Sequence, residues 1–295
     1  MFDFFRKKSV APDDHPKAVG AFYNQHHDAF IRVYGEVIQA FRTNDLSRIL
    51  DYQQELIGLK AGQKVLDAGC GVCGPARYFA KNANCKIEAV TISEVQARVA
   101  KEKNEAAGLT ELIHVQYADY HQLPSLFAAE SFERIYFLES FGHSRNKALL
   151  LDACWKVLQP GGEIYIKDLF VRVAADHGVQ KKINREIDKI NEAYHYEVAD
   201  LNQFLDLARK AGYVVAFVKT IDISLEDFEN LSISNEFQEL TGIAKIDNWE
   251  SYVFPVDFFE IKLYKPEYDI AKGMHRYFIQ NLFQIKVAGT RPDAL

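Results

Sequence analysis

LKAGQKVLDAGCGVCGPARYFAKN, residues 59–82, changes the character of the chain. A short run over Lys64–Leu66 reads as a strand, and three glycines follow it. A helix then opens near Pro75, a residue favoured in the first turn because its missing N–H has no helical partner there anyway. Gly69, Gly71 and Gly74 spell G-x-G-x-x-G between that strand and that helix. Such a loop lets a ligand approach the backbone closely, so it marks a binding site at the carboxyl end of the first strand.

Downstream, strand and helix alternate. CKIEAVTI (85–92) reads as a strand, SEVQARVAKEKNEAAGL (93–109) as a helix capped by Ser93, and IHVQYADY (113–120) as a strand. FERIYFLES (132–140) is a further strand, NKALLLDACWKVLQ (146–159) a helix, and GGEIYIKDLF (161–170) a strand entered through a Pro-Gly-Gly turn. ADLNQFLDLARKAG (199–212) reads as a helix closed by Gly212, followed by the strand YVVAFVKTID (213–222). Alternation at this spacing predicts a doubly wound α/β fold, a mostly parallel sheet covered on both faces.

Outside this region the pattern is different. Residues 1 to about 16 read as a polar leader, and Lys17–Leu59 as helical, with Phe22, Phe30, Val33, Val37, Ile38 and Phe41 at three- and four-residue steps. Residues 222–279 are irregular, acidic and aromatic, and LFQIKVAG (282–289) reads as a last strand. The expected organisation is a helical cap over 1–58, a core over 59–221, a lid inserted over 222–279, and a last strand with tail over 280–295.

Composition narrows the function. With 295 residues, 48% hydrophobic and 26% charged, the chain is an ordinary globular one with room for a full core. A net charge of −6 argues against a nucleic-acid surface, which needs a basic face. No run approaches the ~20 apolar residues of a membrane span. Met1–Val10 lacks the apolar stretch of a secretory signal. A cytoplasmic location follows as an expectation, and a homo-oligomer is compatible with the sequence. Cys70, Cys73, Cys85 and Cys154 are too sparse for a disulfide scaffold. The Cys70–Cys73 pair lacks the second pair or His cluster of a zinc site, so no metal is expected.

Charge discriminates between ligands for the glycine loop. With Glu88 near the end of the next strand, the loop superficially matches a dinucleotide fingerprint. A dinucleotide would bring its pyrophosphate here, yet Asp67 stands two residues before the first glycine and Asp119 at the end of the third strand. S-adenosyl-L-methionine carries a sulfonium and an ammonium instead of phosphate. Carboxylates at the mouth suit it and disfavour NAD.

At these residues a resemblance enters. VLDAGCGVCGPARYFA (65–80) resembles the first motif of the Rossmann-like methyltransferases, and LQPGGEIYIKDL (158–169) their later Pro-Gly-Gly motif. The likeness covers about Leu59–Ile221 and implies a mostly parallel seven-stranded sheet. More narrowly, GCGVCGPAR resembles the sterol side-chain methyltransferases, with Cys73 where they typically have glycine. VTISEVQARVAKEKNEAAGL (90–109) resembles both those enzymes and the cyclopropane fatty-acid synthases. Prenyl-diphosphate methyltransferases share the feature. Most methyltransferases end the second strand in an acid that holds ribose; Thr91 stands here, followed by Ile92, Ser93 and Gln96. The resemblance therefore gives the ribose contacts to Thr91 and Gln96, with Ile92 beside them. It gives the adenine to Asp119 and Tyr120, and cofactor contacts to Asp67, Gly69, Gly71 and Leu138. AFYNQHHDAF (21–30) is similar to the tyrosine-rich start of the sterol enzymes, which implies that Tyr23 closes over the cofactor.

FLESFGHSR (137–145) resembles the cyclopropane synthases' Glu-His-Phe-Gly-His run, with Ser140 replacing the first histidine. An alkene is a weak nucleophile, so the protein must orient it against the sulfonium methyl. Methyl transfer leaves a carbocation, which aromatic faces stabilise by about 1–2 kcal/mol each. A base then removes a proton, and Glu139 with His143 is the expected catalytic pair. Arg172, Lys181, Lys182 and Arg185 could clamp an anionic head group, and Trp249, Tyr252 and Phe258 belong to an aromatic lid. These point to an apolar or prenyl small molecule, an isoprenoid such as a prenyl diphosphate, a terpene or a sterol-like lipid. Methyl transfer to nitrogen or oxygen, or cofactor binding without catalysis, are the alternatives.

Overall fold

A computed structural model describes residues 14–221, 230–246 and 248–267. Helices α1 (His15–Gln25), α2 (His27–Tyr34) and α3 (Leu46–Ile57) precede the sheet. Then come β1 (Lys64–Ala68), α4 (Gly74–Ala83), β2 (Lys86–Thr91), α5 (Glu94–Ala106), β3 (Ile113–Tyr117), α6 (Leu123–Leu126), β4 (Phe132–Leu138) and α7 (Lys147–Val157). The chain continues through β5 (Leu158–Val171), α8 (His177–Tyr194), α9 (Leu201–Lys210), β6 (Val214–Thr220), α10 (Asn230–Thr241) and β7 (Val256–Tyr264). One seven-stranded sheet results, in the order β3-β2-β1-β4-β5-β7-β6. It is parallel except that β7 runs antiparallel to both β5 and β6. Strand order reverses between β1 and β4, where a sheet of this kind opens a crevice at its carboxyl edge.

The two faces of the sheet bury separate clusters. Leu66, Ile135 and Phe137 face α7 and α9, while their chain neighbours Val65 and Tyr136 face α3, α4 and α5. A third cluster joins Phe22, Phe30 and Tyr34 of α1 and α2 to Phe237 of α10, so the helical cap packs on the segment between β6 and β7.

Three expected boundaries move. Helix α1 begins at His15, so the leader is shorter than 16 residues. The seventh strand is Val256–Tyr264, inside the stretch read as lid, which leaves 221–255 between β6 and β7. The cause is Glu260, a charged residue that breaks the apolar pattern of VDFFEIKLY yet is fully buried. Its carboxylate is satisfied by the Tyr52 hydroxyl at 2.6 Å and by the Tyr165 hydroxyl, with Lys219 at 3.7 Å. LFQIKVAG (282–289) lies outside the described residues. No helix among the described residues is long and apolar enough to cross a membrane.

Candidate active site

The glycine loop is shaped by what it passes. Gly69 has φ +101°, and a Cβ there would overlap the Ser140 side chain. Ser140 Oγ donates to the Ala68 carbonyl at 2.5 Å, pinning the end of β4 to the end of β1. A Cβ on Gly74 would run into the backbone of Glu36, so the cap reaches the loop directly. The Glu36 carboxylate bonds Arg77 of α4 and Lys103 of α5, each at 2.5 Å. Asn24 Oδ1 accepts from Ser93 Oγ at 2.7 Å and from the Val95 amide at 3.2 Å, which ties α1 to the start of α5.

Between cap and sheet lies a cavity of about 900 Å³, open solvent included. Its wall contains Tyr23, Asp67, Gly69, Gly71, Thr91, Ile92, Gln96, Asp119, Tyr120 and Leu138, together with Glu139 and His143. The fold thus brings to one wall every residue assigned above to cofactor and catalysis. Glu36 adds a fourth carboxylate, and no Lys or Arg lines the cavity among the described residues. Burial pushes the Asp67 carboxyl up to about 7, against the pull of the Tyr136 hydroxyl. A ligand with cationic groups would return that carboxyl to its charged form; a pyrophosphate would find no cationic side chain among the described residues.

Glu139, directly after β4, lies in the left-handed region, φ +57°, a strained conformation for a non-glycine residue. Its carboxylate accepts from the Ala40 amide at 2.6 Å, the Phe41 amide at 3.0 Å and the Lys167 ammonium. Fully buried Lys167 also donates to Gln39 Oε1 at 2.7 Å and to the Phe41 carbonyl. Burial lowers the Lys167 ammonium, with Glu139 opposing. His143 Nδ1–H donates to the His195 carbonyl at 3.1 Å, so Nε2 is the acceptor for the Tyr23 hydroxyl at 2.8 Å. Burial pushes the His143 imidazole down to about 3, so the ring is neutral at pH 7. Asp168 accepts from the Gly142 amide at 3.0 Å and fixes the turn that carries His143.

A second, larger cleft of about 2430 Å³, open solvent included, adjoins the first, and Tyr23, Ile38 and Glu139 line both. Its wall includes the aromatic residues Phe30, Tyr34, Tyr194, Tyr196, Trp249, Tyr252, Phe254 and Phe258 among charged and polar ones. Helix α8 contributes Lys182, Arg185 and Lys189 on one helical face, with Glu186 and Glu192 beside them. Lys181, one residue off that face, does not line the cleft. Neither does Arg172, whose guanidinium is engaged by Asp257 Oδ1 at 2.7 and 2.9 Å and lies over the Phe254 ring. The predicted anionic clamp therefore loses Arg172 and Lys181; Lys189 also lines the cleft but is engaged by Glu186 at 2.8 Å.

Sequence reasoning missed Lys167, Glu36 and His121. Lys167 left a signal, a charge adjacent to Asp168 inside the otherwise apolar strand Ile164–Phe170. Glu36 left none, because its partners Arg77 and Lys103 are 41 and 67 residues away, whereas His121 follows its partner Asp119 by two residues and could have been found beside it.

The sheet order and its flanking helices are those of the Rossmann-like methyltransferase fold. Residues 66–166 match the family described as methyltransferase domain. Methyltransferase GfsG of Streptomyces halstedii is 29% identical over 186 residues, 60% of this chain and 63% of that one. The 24-methylenesterol C-methyltransferase 3 of Arabidopsis thaliana is 31% identical over 54% of this chain and 46% of its own length. The chain thus spans less than two thirds of these relatives. The O-methyltransferase cnsE of Penicillium expansum is 26% identical over 78% of this chain and 87% of that one. Geranyl diphosphate C-methyltransferase of Streptomyces coelicolor A3(2) shares the fold, with a TM-score of 0.68 over 87% of this chain and 99% of that one at 14% identity.

Proposed function

We propose that the protein transfers a methyl group to a carbon–carbon double bond of an apolar, isoprenoid-like acceptor. S-adenosylmethionine, bound in the carboxylate-lined cavity, supplies the electrophilic methyl. The carrying observation is the aromatic cleft that opens into that cavity at Tyr23 and Glu139 without a strong free base between them. The cleft holds an alkene out of water and in line with the cavity. Its aromatic faces and the fixed negative charge of Glu139 stabilise the positive charge that develops on the acceptor. Glu139 is thus a fixed counter-charge, because Lys167 and two amides engage its carboxylate. The proton leaves to the Tyr23 oxygen while the Tyr23 proton passes to His143 Nε2. A base held near 3 suffices for a C–H next to a cationic carbon. To ionise a phenol it would work against about 7 pK units, roughly 10 kcal/mol.

A second reading, transfer to oxygen, is favoured by the length of the alignment with the O-methyltransferase of Penicillium expansum. One assay separates the two. The chain is incubated with methyl-labelled S-adenosylmethionine and prenyl diphosphates, sterols, phospholipids or phenols, and the product is read by mass spectrometry. Label on carbon, with turnover reduced ~100-fold or more in Glu139→Gln, is the expected result. Label on oxygen, or full turnover in that variant, would overturn the alkene reading.

A further inference from the structure

His121 lines the cofactor cavity, and both of its ring nitrogens are engaged. Nδ1–H donates to Asp119 Oδ1 at 2.7 Å, and Nε2 accepts from Ser144 Oγ at 2.8 Å. The His121 backbone amide donates to the same Oδ1 at 2.9 Å. One oxygen of Asp119 thus carries two bonds, while Oδ2 has no recorded partner among the described residues. Burial alone would raise the Asp119 carboxyl, but the His121 bonds outweigh it and hold the group below the usual carboxylate range. A serine, a histidine and an aspartate in this order have the connectivity of a nucleophilic triad. Ser144 is fully buried, though, and its hydroxyl points into the imidazole, so no acyl group could reach it. The arrangement orients rather than attacks.

We infer that His121 is a positioning residue for the adenine: supported by Ser144, it locks the Asp119 carboxylate so that Oδ2 faces the cavity as acceptor for the exocyclic amino group. This rests on the reading of the cavity as the S-adenosylmethionine site. A fixed acceptor is matched by an amino group and repelled by a carbonyl oxygen in the same place, so His121 sets selectivity for adenine over hypoxanthine. A carboxylate free to turn would tolerate either. Ser144 also follows His143, so one hydrogen-bonded chain joins the adenine end of the cavity to the turn carrying His143.

The test is calorimetric binding of S-adenosylhomocysteine and S-inosylhomocysteine to the full chain. Wild type is expected to prefer the adenosyl ligand by on the order of 100-fold. His121→Leu should lower that ratio about tenfold. His121→Asn, whose amide can replace the Nδ1–H donor, should restore most of it. Ser144→Ala, which removes only the support, should fall between wild type and His121→Leu. Equal weakening of both ligands, with the ratio unchanged in these variants, would mean a structural role and overturn the inference alone. Wild type that binds no S-adenosylhomocysteine would overturn the site reading along with it. Should His121→Leu not fold, the ratio in Ser144→Ala decides: a lowered ratio supports the inference, and an unchanged one refutes it.

Discussion

Replacing Lys167 by Met removes an ammonium and little else, since the stem keeps its length and its apolar surroundings. The loss takes the ammonium from the Phe41 carbonyl, from Gln39 Oε1, which keeps the Gln53 amide at 2.7 Å, and from Glu139 Oε1, which keeps the Phe41 amide at 3.0 Å. The Glu139 side chain is 7% exposed, so its charge would have to be carried by the Ala40 and Phe41 amides alone. Breaking a buried pair on one side costs about 3–5 kcal/mol. That is a large share of the ~5–15 kcal/mol that holds a typical domain together. In a chain of this size it corresponds to a fall in Tm of roughly 10 °C. Urea unfolding with linear extrapolation gives the free energy directly. Glu139→Gln in the Lys167→Met background should return about 2 kcal/mol relative to additivity, because the stranded charge is gone. A single variant costing less than ~1 kcal/mol, or two changes that add to within ~0.5 kcal/mol, would refute the claim that this pair anchors Glu139.

Other outcomes follow from the same geometry. His143 has a folded pKa of about 3 against 6.5 when exposed, so the unfolded chain takes up a proton first as pH falls. The stability advantage of wild type over His143→Phe should therefore be fully present above pH 6.5 and shrink by about 1.4 kcal/mol per unit below it, towards pH 3. A constant difference across that window, measured by denaturant titration, would sink the assignment of a buried neutral ring. Asp67, raised to about 7, must be ionised to pair with an ammonium. Affinity for S-adenosylhomocysteine should fall about fivefold between pH 7 and pH 6, and Asp67→Asn should bind weakly with a flat profile. Gly69→Ala combines φ +101° with an overlap on Ser140, so cofactor affinity should drop at least ~30-fold by calorimetry; unchanged binding would contradict the packing described.

Much of this architecture could be read from the chain because its signals are local. The glycine loop, the Ser93 cap and the strand–helix alternation each depend on residues a few positions apart. The seventh strand could not be read, because a buried Glu260 looks like surface until Tyr52 and Tyr165 are brought to it from 208 and 95 residues away. LFQIKVAG alternates more cleanly and drew the assignment instead. At the site, the motif residues were legible as residue types. Their states were not: Glu139 was read as a base because nothing near it in sequence predicts Lys167 and the amides of Ala40 and Phe41. Arg172 was read as a clamp because Asp257 lies 85 residues on, across β5 and β7.

The cap shares its wall with the cavity, and this bears on timing. Tyr23, Glu36, Ile38 and Gln39 line the cavity on one side while Glu36 and Glu139 tie that side to α4, α5 and the sheet. Whatever enters or leaves past them must part these ties, and they do not discriminate between fresh ligand and spent ligand. Residence time then belongs to the enclosure as much as to the molecule inside it. A variant that loosens Glu36 would exchange its contents faster even where every direct contact is intact.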